Sequence, residues 1–325
     1  MIFQKNFIIY DLPHALPTEV SEERVAFLDL ETKAYGRKNS SIQYLGLLRK
    51  ESDGWYAYQW IQESPGEELE ILQQFLALLP SFDCLVHYNG TSFDLPILQK
   101  RCQHYELSLN LTALESLDLY RIFAPLKKFP GLPHLDQHSL EQFLNLSRAN
   151  QTDNDLTMLP KLLSLCSYLD LVKGNFRIQD VFLKEDTLTV TALLNSSVPN
   201  NCSLHFAAGY LSVESNQLRV LIYGIHDTMK YFYPDYKNYY YLPQEDCAIH
   251  RSVASYVDKA HRVPAKAANC YTRKTGFFLP MTDDGLKPAF AKNYKDGQYY
   301  LLCDEKFLSD PFRISAYLLN CFRAL

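Results

Sequence analysis

Asp29 and Glu31 stand two residues apart in Val25-Ala26-Phe27-Leu28-Asp29-Leu30-Glu31, a short apolar run with the pattern of a buried central strand whose end carries charge. On a strand, residues i and i+2 leave the same face, so the two carboxylates are neighbours. In a partly apolar setting such neighbours repel, and one takes up a proton unless a cation compensates. A solvated strand end is the plainer account of the pair. A third acid, Asp94, falls in His87-Tyr88-Asn89-Gly90-Thr91-Ser92-Phe93-Asp94-Leu95-Pro96, a strand-to-helix junction with Ser92 as the expected N-cap. Asp94 then lies in the first helical turn, where the dipole favours its ionised form. A fourth, Asp155, heads a helical pattern in Asn154-Asp155-Leu156-Thr157-Met158-Leu159. Plain helix capping accounts equally well for each of these last two acids taken alone.

The elements that must position these acids follow from periodicity. Val25 to Glu31 is read as the first strand, and Ser41 to Leu48 and Trp55 to Trp60 as a hairpin around Ser52-Asp53-Gly54. A helix opens at Ser64-Pro65-Gly66-Glu67-Glu68 and carries Leu69, Leu72, Phe75, Leu76 and Leu79 at helical spacing up to Pro80. Cys84 to His87 is a fourth strand, Phe93 to Tyr105 a helix and Ser116 to Tyr120 a fifth strand. Ser139 to Leu146 and Leu156 to Leu169 are further helices, the second with a leucine stripe. The order β-β-β-α-β-α-β-α predicts an α/β domain, a mixed sheet flanked by helices. Beyond Gly174 the pattern turns β-rich, with strands expected over Asp186–Leu194, Leu204–Val213, Leu218–Ile225, Gly276–Leu279 and Tyr299–Leu302, and a helix over Ile314–Phe322. The expected division is therefore 1–172 for the α/β domain and 173–325 for a smaller β-rich accessory domain.

Several of these segments together resemble one family. Phe27-Leu28-Asp29-Leu30-Glu31-Thr32, then Tyr88 to Pro96 with Arg101 after it, then Ser116-Leu117-Asp118-Leu119 and Ser139-Leu140-Glu141 look like the bacterial ribonuclease H-like proteins related to DEDD 3′–5′ exonucleases, over about residues 24 to 170. The resemblance implies a ribonuclease H-like fold, two Mg²⁺ or Mn²⁺ ions and phosphodiester cleavage, with Asp29, Glu31, Asp94 and Asp155 as the catalytic, metal-holding acids. Hard ions call for oxygen ligands, which suits carboxylates. On this reading Asp29 bridges the ions, Glu31 also orients the attacking water, Asn89 contacts substrate and Asp118 fixes local backbone. One position departs from the family. The last acid is usually preceded, four residues earlier, by a Tyr or His that positions or deprotonates the water; that place holds Gln151 if Asp155 is the acid, and Ala149 if Asp153 is. Glutamine can hold a water but cannot act as a base.

In the second half, Tyr231-Phe232-Tyr233-Pro234-Asp235-Tyr236-Lys237-Asn238-Tyr239-Tyr240-Tyr241 is the densest aromatic run, and residues 250–295 hold nine Lys or Arg against three acids. Rings that stack on bases, interleaved with cations that follow phosphates, are what single-stranded nucleic acid needs; tyrosines packing a β-rich core are the alternative, and the one favoured for the run itself. Arg251, Lys259, Arg262, Arg273 and Lys274 are the expected substrate contacts. Cys247, His250, His261 and Cys270 match no familiar zinc spacing. Ile249 to Val253 is expected to begin a helix with His250 exposed or capping, and Asn269 to Pro280 reads as a hairpin resembling an accessory region of such proteins.

Composition excludes much else. Of 325 residues, 47% are hydrophobic and 21% charged, with 12 glycines, which excludes collagen-like and wholly disordered chains. A net charge of −5 argues against a uniformly basic coat. The start lacks a secretory pattern and no apolar run approaches the ~20 residues of a membrane span, so a cytoplasmic protein without membrane association is expected. Eight cysteines with no C-x-x-C are expected as reduced, buried side chains. The sequence thus points to a two-metal 3′–5′ exonuclease acting on single-stranded DNA or RNA, with a catalytically silent nucleic-acid-binding module as the alternative; it names no protein partner.

Overall fold

The computed structural model describes residues 1–9, 11–35, 39–64, 66–129, 132, 134–148 and 154–322. The chain divides into two compact units, Met1–Leu169 and Asp170–Leu325. In the first, β1 (Ile2–Ile8), β2 (Val25–Tyr35), β3 (Asn39–Glu51), β4 (Gly54–Ile61), β5 (Cys84–His87) and β6 (Glu115–Asp118) form a six-stranded mixed sheet in the order β1-β4-β3-β2-β5-β6. The pairs β1–β4, β4–β3 and β3–β2 are antiparallel, whereas β5 pairs parallel with both β2 and β6. The helices are α1 (Glu68–Leu78), α2 (Asp94–His104), α3 (Leu119–Phe123), α4 (Gln137–Phe143), α5 (Asp155–Met158) and α6 (Cys166–Lys173).

Alternation along β2 places the site. Ala26, Leu28 and Leu30 enter a core with Ile42, Leu45 and Trp60 of the neighbouring strands and Ile71, Phe75 and Leu98 of α1 and α2. Phe27, Asp29 and Glu31 therefore leave by the opposite face. α5 packs against β2 and β3. α1 and α2 are joined by a buried ion pair: Glu68, 1% exposed, accepts Arg101 Nε at 2.7 Å and Nη2 at 2.6 Å, the backbone N–H of Ile42 at 2.9 Å and Tyr105 Oη at 3.1 Å. With all its acceptor sites engaged, the carboxylate meets the condition under which burial of a charge is tolerated. Arg101 is thus a structural residue.

Several expected boundaries shift. β1 is an edge strand that no alternation announced. The fifth strand ends at Asp118, whose side chain caps α3 through the N–H of Tyr120. The helix expected over Leu156–Leu169 is broken into α5, a 3₁₀ segment Leu159–Leu165 and α6, because Pro160 has no N–H to donate.

The second unit holds a five-stranded antiparallel sheet, order β7-β8-β11-β10-β9, from β7 (Phe176–Lys184), β8 (Thr187–Leu194), β9 (Cys202–Phe206), β10 (Gly209–Glu214) and β11 (Gln217–Tyr223). The single strand expected over Leu204–Val213 is thus two. β12 (Ile225–Phe232), β16 (Tyr271–Met281) and β17 (Tyr299–Leu302) form one small sheet; β13 (Tyr239–Leu242), β14 (Cys247–His250) and β15 (Val263–Pro264) form another. α7 (Arg251–Ala254), α8 (Glu305–Leu308) and α9 (Pro311–Phe322) complete it. Asn269 to Pro280 is not a hairpin: Tyr271–Met281 runs as one strand pairing β12 on one side and β17 on the other. Tyr233, Tyr236, Tyr239 and Tyr241 pack on a cluster of Ala248, Ala265 and Cys270, the core-packing role rather than an open stacking platform.

Candidate active site

Asp29 sits on β2 directly opposite Gly46 of β3. Among the described residues its Oδ2 is buried without a hydrogen-bond partner. Burial, followed by the nearby charges of Asp155, Asp94 and Glu31, pushes its pKa up to about 7 against the opposing effect of the Leu30 N–H. Asp94 is the first residue of α2 and only 8% exposed; burial first, then Asp118, pushes it also up to about 7. α2 begins without the expected Ser92 cap: Phe93 holds the N-cap position and makes no side-chain cap bond.

The turn before α2 is built to hold Asp94. Asn89 has φ 55°, a left-handed conformation that asparagine tolerates. Asp118 accepts the N–H of Asn89 at 2.8 Å and of Thr91 at 3.3 Å. The Gly90 N–H donates to His87 Nδ1 at 3.1 Å, which leaves the ring proton on Nε2, 2.8 Å from Ser116 Oγ. Burial pulls His87 below its usual pKa, so the ring is neutral and structural. A Cβ on Gly90 would lie 2.8 Å from Asp94 Oδ2 and 2.7 Å from the His87 ring, so glycine is required where the carboxylate passes.

Asp155 is brought over by α5. Asn154 and Thr157 close a capping box, and Asn154 Nδ2 donates to Tyr44 Oη at 3.0 Å on β3. A Cβ on Gly46 would come within 2.4 Å of that hydroxyl and 2.8 Å of Leu156 Cδ2, so Gly46 lets α5 approach the sheet. Arg148 Nη2 donates to Asp155 Oδ1 at 2.5 Å. Gln151, Ala149 and the competing acid Asp153 lie outside the described residues.

Asp29, Asp94, Asp155 and Asn89 line one cavity of about 660 Å³. Glu31 is exposed and does not line it, although its charge reaches Asp29. Among the described residues no three Asp, Glu, His or Cys side chains converge as a metal-holding group. Tyr88, Phe93 and Tyr120 flank the acids, with Phe93 59% exposed, and Lys127 adds a cation. The sequence assigns no role to these rings, although Tyr88 and Phe93 fall in the family-like segment, nor to Tyr44, Gly46 and Arg148; the Asn154-x-x-Thr157 capping pattern is the available signal for the α5 anchor.

Residues 26–163 match the family model of the RNase_H superfamily. The first unit accordingly has a ribonuclease H-like fold, and its acids lie within the matched span. No curated protein matches the chain. Among solved structures, one titled "ExoI/SSB-Ct complex" is similar at 11% identity and a TM-score of 0.35, over 93% of this chain and 74% of that one.

The second unit lies outside the matched residues, and its five expected substrate contacts divide into two groups. Arg251, Lys259 and Lys274 are exposed. Arg262 instead lies over the Tyr240 ring at 5.0 Å and donates to the Ala254 carbonyl, while Arg273 pairs with Asp246 at 3.1 Å and donates to the Glu245 carbonyl at 3.0 Å. His250 caps α7 and bonds Ser252, and Cys270 is buried in the tyrosine cluster.

Proposed function

We propose that the first unit is a metal-dependent nuclease that shortens single-stranded DNA or RNA from the 3′ end. The observation that carries this reading is the pairing, in one cavity, of Asp29 and Asp94, both pushed up to about 7, with the Oδ2 of Asp29 lacking a partner. Two carboxyls so placed stay protonated near neutrality unless a cation replaces the proton, and an all-oxygen donor set suits Mg²⁺ or Mn²⁺. Asp29, Asp94 and Asp155 of the cavity, with Glu31 at the strand end beside it, would hold the ions. When bound, such ions supply an activated water and neutralise the departing 3′ oxygen.

The rest of the work falls to the chain. Glu31, exposed at the strand end outside the cavity lining, would have to turn inward to orient the water, and Asn89 lines the cavity beside Asp94 as the expected substrate contact. Phe93, Tyr88 and Tyr120 offer ring faces to bases, and Lys127 a charge to phosphate. Of the five expected contacts in the second unit, Arg251, Lys259 and Lys274 are exposed and placed to follow a backbone, whereas Arg262 and Arg273 hold structure. The RNase_H superfamily match supports phosphodiester chemistry as the class.

Gln151, in place of a Tyr or His, favours a second reading in which the same groove binds nucleic acid without cutting. Incubation of 5′-labelled single-stranded DNA or RNA with the full chain in Mn²⁺ or Mg²⁺, beside Asp29→Asn and Asp94→Asn, separates the two. Shortening from the 3′ end in the parent chain alone supports the nuclease; retention of intact strand on the protein supports the silent module.

A further inference from the structure

Arg148 is held more firmly than a surface arginine requires. Glu141 of α4 is 3% exposed, and its carboxylate takes Arg148 Nε on Oε2 at 3.0 Å and Nη2 on Oε1 at 2.8 Å, a bidentate fork. The same Nη2 reaches Asp155 Oδ1 at 2.5 Å. From the start of α4, Gln137 Nε2 donates to Glu141 Oε1 at 3.0 Å and to the Asp155 carbonyl at 2.9 Å. α4 therefore grips Asp155 twice, by its backbone and, through Arg148, by one carboxylate oxygen. The Asp155 side chain is 46% exposed and would otherwise be free to turn to water.

We propose that Arg148, clamped by buried Glu141, is a positioning residue: it fixes the Asp155 carboxylate by one oxygen and leaves the other for a divalent cation in the cavity. The proposal rests on the reading of that cavity as a cation site. Partners that orient a metal ligand from behind commonly govern affinity by about 10- to 100-fold. The planar fork matters, since a lysine can supply charge at this distance but cannot bridge two carboxylates in fixed geometry.

Calorimetric titration of Mn²⁺ into the full chain tests this, run on the parent, Arg148→Ala, Arg148→Lys, Asp155→Asn and the Arg148→Ala/Asp155→Asn double variant. Arg148→Ala should weaken Mn²⁺ affinity about 10- to 100-fold, Arg148→Lys should recover part of the loss, and Arg148→Ala should add less than about twofold once Asp155 is already Asn. An Arg148→Ala variant that binds Mn²⁺ equally or more tightly, or that costs the same on the Asp155→Asn background, overturns the proposal. So does a parent chain that takes up no Mn²⁺. If Arg148→Ala does not fold by circular dichroism, Arg148→Lys and Glu141→Gln carry the test, each expected to weaken Mn²⁺ binding and each overturning the idea if binding is unchanged. Intact strands in the nuclease assay together with the expected Mn²⁺ pattern would sink the nuclease reading while leaving Arg148 in its role.

Discussion

Among single residues, Asp29 and Asp94 hold the protons that a bound cation would displace. Asp29 and Asp94 have folded-state pKa values of about 7, above the ordinary carboxylate value. A raised acid favours folding fully below its unfolded pKa, and that contribution is lost as pH rises through the folded value. The ion-free chain should therefore lose stability between about pH 4 and pH 7 on account of these two groups, and added Mn²⁺ should raise Tm more at pH 8 than at pH 5.5. Calorimetric melts with and without Mn²⁺ check this; a Tm increment equal at both pH values would contradict it. The Glu68–Arg101 pair makes a contrasting prediction. Arg101→Ala leaves a carboxylate buried without its cation and should cost about 3–5 kcal/mol in urea denaturation, with no direct loss of cation affinity, since neither residue lines the cavity.

At the scale of elements, the decisive feature is how α5 reaches the sheet. Gly46 faces Asp29 across the β2–β3 ladder and leaves room for Leu156 and the Tyr44 hydroxyl. Gly46→Ala should destabilise the first unit by about 1–3 kcal/mol through overpacking, and should weaken Mn²⁺ binding as Asp155 is displaced; an unchanged urea midpoint would refute this reading. The same region shows what sequence periodicity can and cannot reveal. Cys84–His87 and Tyr299–Leu302 were legible to the residue, because apolar runs bounded by turn residues mark strands. The placement of Asp29 on a strand and of Asp94 at the start of a helix was legible because strand alternation and a strand-to-helix junction are local signals. The edge strands β1 and β7 mix apolar with polar residues and are exposed along much of their length, so no clean alternation marks them. The break at Pro160 was hidden by a continuous leucine stripe. The anchor from Asn154 to Tyr44 spans 110 residues of chain, and the Arg148 fork depends on the placement of α4; both are tertiary facts that spacing does not encode.

At the scale of the whole molecule, charge is segregated along the chain. Residues 250–295 carry an excess of six positive charges within a protein of net −5. That segment of the second unit would attract a polyanion. Each phosphate contact removed should flatten the dependence of log K on log salt by about 0.7 for single strands. Lys259→Ala and Lys274→Ala should each produce that change in fluorescence-anisotropy titrations. Arg262→Ala and Arg273→Ala should instead lower the melting temperature, because their guanidinium groups are committed to Tyr240 and Ala254 and to Asp246. Equal salt slopes in all four variants would remove the second unit from nucleic-acid binding.

We propose that Asp29, Glu31, Asp94 and Asp155 hold divalent ions. Crystals of the full chain grown in Mn²⁺, with anomalous diffraction recorded at the manganese edge, test it most directly. Two anomalous peaks about 3.5–4 Å apart in the cavity, with Asp29 Oδ2 among the ligands, are expected. A cavity without manganese, with Asp29 still lacking a partner and well-ordered ions elsewhere on the protein, would contradict it.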